Sequence, residues 1–336
     1  MITQDLESWL REIGVGGSGG IGVRGLTPLA GDLSQRRYFR IVLDDGALLL
    51  AAHYPESLRG AMGRFAAARS LLAGAGVRVP EIRRSSSERG WMLVEDLGAE
   101  TLYELGNREP REPREPRPPS ELEAHVRAAV ESAGKIAALN VNAVAELGNP
   151  PLDGAALRRE LDPAFEFLLD AQGLSELPRE RRELLLALDE LCDHLGGDPL
   201  VPCHRDFMSR NLIPLADGIA VIDFQDLRLG PPAYDLASLF NDSFFPDSAL
   251  ENALLPAEWK TGLAHEQYSR AVVQRTLKAA GTFARFAAQG QPRHVLLIAP
   301  TLARTARHLA ALPETAGAFG PLRGWWSSHP GAGPIC

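Results

Sequence analysis

Lysine is nearly missing from this chain of 336 residues. Lys135, Lys260 and Lys278 are the only three among 35 basic residues, and none precedes position 135. Lysine-rich patches are therefore excluded. A formal net charge of −8 argues against nucleic acid or an anionic membrane as the main partner. Cysteine is also scarce. Cys192, Cys203 and Cys336 form no C-x-x-C pair and no metal-binding spacing, so the expectation is reduced structural thiols rather than a disulfide framework. No stretch comes near the ~20 apolar residues of a membrane span. The start of the chain carries Asp5, Glu7 and Glu12 without a long apolar run, which is unlike a secretory leader. A cytoplasmic location is the expectation. With 45% hydrophobic and 23% charged residues the composition is that of an ordinary globular protein. The length suggests two domains or one domain of two lobes.

Two glycine motifs near the start are decoys. Gly17-Ser18-Gly19-Gly20-Ile21-Gly22 fits G-x-G-x-x-G, and Gly16-Gly17-Ser18-Gly19-Gly20 fits G-x-S-x-G. Both need a strand before them and a helix after them to carry chemistry. Here Leu6, Trp9, Leu10 and Ile13 predict an amphipathic helix over 3–13, and Thr27-Pro28 follows. The segment 14–25 reads as a connector. A hairpin is expected over 37–43 and 47–52, turned at Asp44-Asp45-Gly46, then a helix over 58–72 and a strand over 90–94. Residues 108–119 read REPREPREPRPP. Recurrent proline and alternating charge make this a solvated, non-helical insertion. Beyond it the pattern turns helical: 120–145 with Ser120 as its N-cap, 157–169, 179–195, 258–289 and 294–312. A β-rich part of about a hundred residues followed by a larger helical part gives an α+β fold, with a cleft between the two as the expected ligand site.

The most informative segment is His204-Arg205-Asp206, then four residues, then Asn211, then Asp223 at the end of the apolar run Val221-Ile222. In phosphoryl transfer a carboxylate receives the acceptor hydroxyl, while an amide oxygen and a second carboxylate hold the metal. Mg²⁺ prefers oxygen ligands and keeps several waters, so two protein ligands suffice. A hydrolytic metal site is the rival. It would want further His or carboxylate ligands, and His204 is the only histidine between His194 and His265.

On these residues the chain resembles the aminoglycoside phosphotransferase and choline kinase branch of the protein-kinase-like fold. Within that branch it is similar to bacterial N-acetylmuramate/N-acetylglucosamine kinases. The segments 31–40, 93–98, 204–212, 221–226, 230–239 and 275–283 carry the resemblance. It implies a two-lobed fold, with a nucleotide-binding N-lobe over 1–97 and a helical C-lobe over 98–336. It implies ATP and Mg²⁺ as cofactors, Asp206 as base, and Asn211 and Asp223 as metal ligands. Ser34, Arg36, Arg37 and Tyr38 would lie over the phosphates, and Glu95 to Leu97 would meet the adenine. The implied acceptor side holds Arg210, Asp226 and His204, although His204 reads from sequence as a loop brace. The acceptor implied is a small sugar, phosphorylated at its anomeric hydroxyl for peptidoglycan recycling. An aminoglycoside- or choline-type kinase and a nucleotide-binding pseudokinase stay open. The pattern departs from kinases at one point: without lysine in the N-lobe, either an arginine among Arg36, Arg37 and Arg40, or His53, takes the usual phosphate contact, or metal and backbone carry the phosphates without it.

Overall fold

The computed structural model describes residues 2–15, 22–29, 35–107, 119–197, 199–241 and 248–312. Positions 16–21 of the glycine motifs, Ser34, residues 108–118 of the REP run and Cys336 lie outside these described residues. The chain forms two compact units. One is Met1–Ala99 with Ala220–Gln225; the other is Glu100–Ile219 with Asp226–Cys336. A single boundary at 97/98 does not express the return of 220–225, and with it Asp223, to the first unit.

The first unit is an antiparallel five-stranded sheet in the order β1 (Val23–Leu29), β2 (Arg37–Leu43), β3 (Leu48–His53), β5 (Trp91–Glu95), β4 (Ile82–Ser86). Strands β2 (Arg37–Leu43) and β3 (Leu48–His53) make the expected hairpin. Gly46 takes φ 85 in its turn, where a side chain would be strained, and donates its N–H to the Leu43 carbonyl at 3.0 Å. Alternation buries Phe39, Ile41 and Leu43 on one face of β2. Helix α1 (Ile2–Glu12) covers that face with Leu6, Trp9 and Leu10. Trp91, the first residue of β5 (Trp91–Glu95), is fully buried there and donates its indole N–H to Asp5 at 2.6 Å. Helix α2 (Gly60–Gly74) buries Met62, Phe65, Ala68 and Leu72.

Two strands were not expected, β1 (Val23–Leu29) and β4 (Ile82–Ser86). Both lie at sheet edges. In β1 the glycine and proline content hides the pattern, and an edge is where a strand proline is tolerated. In β4 the middle residues Arg83, Arg84 and Ser85 are exposed, so the strand has no apolar alternation to read.

The second unit is built on the helix Gly262–Ala288, in which Tyr268 to Leu277 are buried without interruption. Burial all round the helix marks it as central. Gly281 lets it approach the turn Asp162–Ala164 closely: a Cβ there would stand 2.3 Å from the Ala164 nitrogen. Two expected helices are broken. The first runs Pro119–Ala137, so Ser120 is inside it rather than its cap, and Val141–Ala145 follows with Asn140 capping the Ala143 N–H at 3.0 Å. The second divides into Gly154–Arg159, Asp162–Ala164 and the π-helical turn Phe165–Leu169. Asp153 and Pro163 mark the two starts, as a capping residue and a first-turn proline do. Helices Pro178–Gly197 and Val295–Ala310 stand as read, within a few residues. Among the described residues no helix is long and apolar enough to cross a membrane. Cys192 and Cys203 are free and buried, and burial pushes the Cys192 thiol up to about 12.

Candidate active site

In the second unit, β6 (Val201–Cys203) delivers the chain into His204-Arg205-Asp206. Asp235, near the start of helix Tyr234–Asn241, accepts the His204 N–H at 2.7 Å and the Arg205 N–H at 3.1 Å. Its burial raises that carboxyl above its ordinary value. The two bonds fix a loop in which Arg205 takes φ 78. His204 is fully buried, its ring edge-on to Phe207. A side chain without exposed surface in this loop packs as a brace does.

Asp206 is the centre of a charge network. Its Oδ1 accepts a hydrogen bond from Arg275 Nη1 at 2.9 Å and lies 3.6 Å from Lys278 Nζ. Its Oδ2 is 3.9 Å from Arg205 Nη1. Burial alone would raise this carboxyl. Lys278, Arg275 and Arg205 outweigh it and hold the group well below the usual carboxylate range. Glu160 balances the cations, taking Arg205 Nη2 at 2.9 Å, Lys278 Nζ at 3.1 Å and the Tyr234 hydroxyl at 3.2 Å. Asn211 donates Nδ2 to the Asp206 carbonyl at 2.8 Å, which leaves Oδ1 as the side-chain atom for a cation. Asp226 pairs with Arg205 at 3.4 Å and Arg228 at 3.1 Å and stays 41% exposed, so it keeps surface for a ligand. Arg210 turns its guanidinium onto the Tyr103 ring, 3.6 Å from the centroid. Sequence reasoning gave no role to Glu160, Arg275 or Lys278. Their only signal was the rarity of lysine and the position of two cations three residues apart on one helix.

In the first unit, Asp223 takes φ 62. Its Oδ1 accepts the Gln225 amide at 2.9 Å and lies 3.5 Å from Arg36 Nη2. Arg36 also packs over Tyr38 and Tyr54, at 5.7 and 5.8 Å from their centroids. Burial pushes the Tyr38 phenol up to about 12. The segment is anchored by Val221, which donates its N–H to the Arg78 carbonyl at 2.8 Å, and by Phe224 stacked on Phe65. The arginines thus separate. Arg40 is held by both oxygens of Asp96. Arg37 is exposed, and His53 tilts against Trp91 at 4.6 Å. Only Arg36 of the four reaches Asp223. Glu95 does not present its side chain to a ligand: Arg78 and the Glu81 N–H hold its carboxylate. The Glu95 and Asp96 N–H groups are engaged by the Glu81 and Leu48 carbonyls at 2.9 and 3.5 Å.

Each unit holds one oxygen donor of the kind magnesium takes. Asn211 Oδ1 and the half-exposed Asp223 carboxylate are hard oxygen ligands. Among the described residues no group of three or more His, Cys, Asp or Glu could hold a metal ion, which is the set a hydrolytic centre would need.

The sequence model of the phosphotransferase enzyme family matches residues 25–271. The chain belongs to this family. It is a phosphotransferase with an alcohol group as acceptor, in a protein-kinase-like fold. It is 32% identical to the N-acetylmuramate/N-acetylglucosamine kinase of Pseudomonas aeruginosa, over 93% of this chain and 96% of the relative. It is 30% identical to the protein of that name from Pseudomonas putida, over 80% of this chain and 79% of the relative. Among solved structures it is similar to a choline kinase from Streptococcus pneumoniae, with TM-score 0.58, 15% identity and coverage of 93% and 98% of the two chains. An ADP-bound aminoglycoside phosphotransferase matches at TM-score 0.58 and 13% identity, covering 91% of this chain and 97% of that one.

Proposed function

We propose that this phosphotransferase moves the γ-phosphoryl group of ATP to the anomeric hydroxyl of N-acetylmuramate or N-acetylglucosamine. The near full-length similarity to kinases named for those sugars carries the reading. In it Asp206 accepts the hydrogen bond of the acceptor hydroxyl and takes its proton as the new O–P bond forms and ADP leaves. A carboxylate flanked by cations is a weak base, so it orients first and takes the proton late, which suits a loose transition state. Asn211 and Asp223 would hold Mg²⁺, which when bound offsets charge on the phosphate oxygens. Arg36, paired with Asp223, serves the phosphates in place of the missing lysine. The Leu97 N–H serves the nucleobase, since the Glu95 and Asp96 amides are engaged. A cytoplasmic setting follows from ATP as donor.

The test is phosphate transfer from ATP to N-acetylmuramate, N-acetylglucosamine, kanamycin and choline. Transfer to the N-acetyl sugars is expected. Preference for the cationic acceptors would overturn the reading, and the cations around Asp206 argue against it. The methyl glycoside of N-acetylglucosamine should be inert, because its anomeric oxygen carries no proton. Product formation from it would move the reaction to another hydroxyl.

Arg36→Ala should lower kcat/KM for ATP at least tenfold, and Arg36→Lys should not restore it, because a guanidinium grips phosphate at two points. Steady-state kinetics against Arg37→Ala checks this, the exposed Arg37 serving as the silent comparison. Equal values for the two variants would remove Arg36 from the phosphate contact.

A further inference from the structure

Only three of 35 basic residues are lysine, yet one stands beside Asp206. Lys278 lies on the central helix one turn after Arg275. Its Nζ is shut off from solvent, 3.1 Å from Glu160 Oε2 and 3.6 Å from Asp206 Oδ1. Two carboxylates this close to one ammonium would otherwise repel each other. The same Oδ1 also takes Arg275 at 2.9 Å. One oxygen of Asp206 therefore carries the hydrogen bond from Arg275 and the nearer ion-pair contact of Lys278, whose Nζ makes no hydrogen bond. The other, Oδ2, has Arg205 at 3.9 Å, beyond hydrogen-bond distance. The side chain of Asp206 remains a quarter exposed.

We infer that Lys278 is a positioning residue for the transfer: wedged between Asp206 and Glu160, it reserves Oδ1 and leaves Oδ2 to receive the acceptor hydroxyl. The inference rests on Asp206 acting on the acceptor as proposed above. A guanidinium could not replace Lys278. It is larger and planar, whereas the site holds a compact point charge between two carboxylates with no open side. Glu160 carries the constraint onward through Arg205 to Asp226, so the residues around the acceptor share one lattice of ion pairs.

The experiment is Lys278→Met, a near-isosteric change that removes only the charge, measured with ATP and N-acetylmuramate. The expected result is a 10- to 100-fold loss in kcat with KM for ATP within twofold, since a small misplacement of a catalytic group costs about that much. Lys278→Arg should not rescue it. Lys278→Met with Glu160→Gln restores the balance of charge, so it should recover the melting temperature without recovering kcat. This double variant also keeps the test open if the single one folds poorly. A kcat within threefold of wild type, or one recovered in the double variant, would show a merely structural lysine and overturn the inference. Asp206→Asn is the control: wild-type turnover there would bring down the underlying reading of Asp206, whatever Lys278 does.

Discussion

Asp206→Asn should lower kcat by about 10²- to 10⁴-fold, the span of a lost acid–base group, with nucleotide affinity nearly unchanged. The amide keeps the shape and one carbonyl oxygen but loses the charge and the capacity to take a proton. It also withdraws the partner that Arg275, Lys278 and Arg205 share, leaving Lys278 with Glu160 and Arg205 with Glu160 and Asp226. Some loss of stability is therefore expected alongside the loss of rate. Single-turnover rates on protein shown to be folded separate the two effects. Turnover within tenfold of wild type would take Asp206 out of the chemistry.

The second large effect is at Asp223. Asp223→Ala should abolish measurable transfer and weaken the magnesium dependence of nucleotide binding, because a charged oxygen ligand is gone. It also frees Arg36 and Gln225 from the carboxylate they share. Titration of nucleotide binding with and without magnesium is the decisive measurement. If rate and magnesium dependence both survive, Asp223 is only the end of a strand.

Much of this was legible because the informative residues are local in sequence. Asp206, Asn211 and Asp223 fall within eighteen positions, and their spacing carries the chemistry. The hairpin of β2 and β3 and the helix α1 announce themselves through alternation and a 3.6-residue stripe. What stayed hidden is either weakly patterned or long-range. The edge strands β1 and β4 are disguised by Pro28, Gly25 and the exposed arginines 83 and 84. Lys278 meets Asp206 from 72 positions away and Glu160 is joined to it through Lys278, and no spacing rule links residues that only tertiary packing brings together. The arginine cluster was half legible. Strand alternation says that Arg36 and Arg40 share a face, but only the partners Asp223 and Asp96 show that they have different work.

Among the described residues only Arg205 and Asp223 hold a positive φ without being glycine. Each forgoes roughly 1–3 kcal/mol by sitting there. One stands immediately before Asp206, the proposed base, and the other is the proposed metal ligand. The consequence concerns how such a protein can be improved. Glycine at either position would relax the backbone, so selection for heat resistance alone is drawn toward the sites on which the proposed reaction depends. A hardier version of this enzyme has to gain its margin elsewhere in the helical unit or the sheet and leave these two bends as they are.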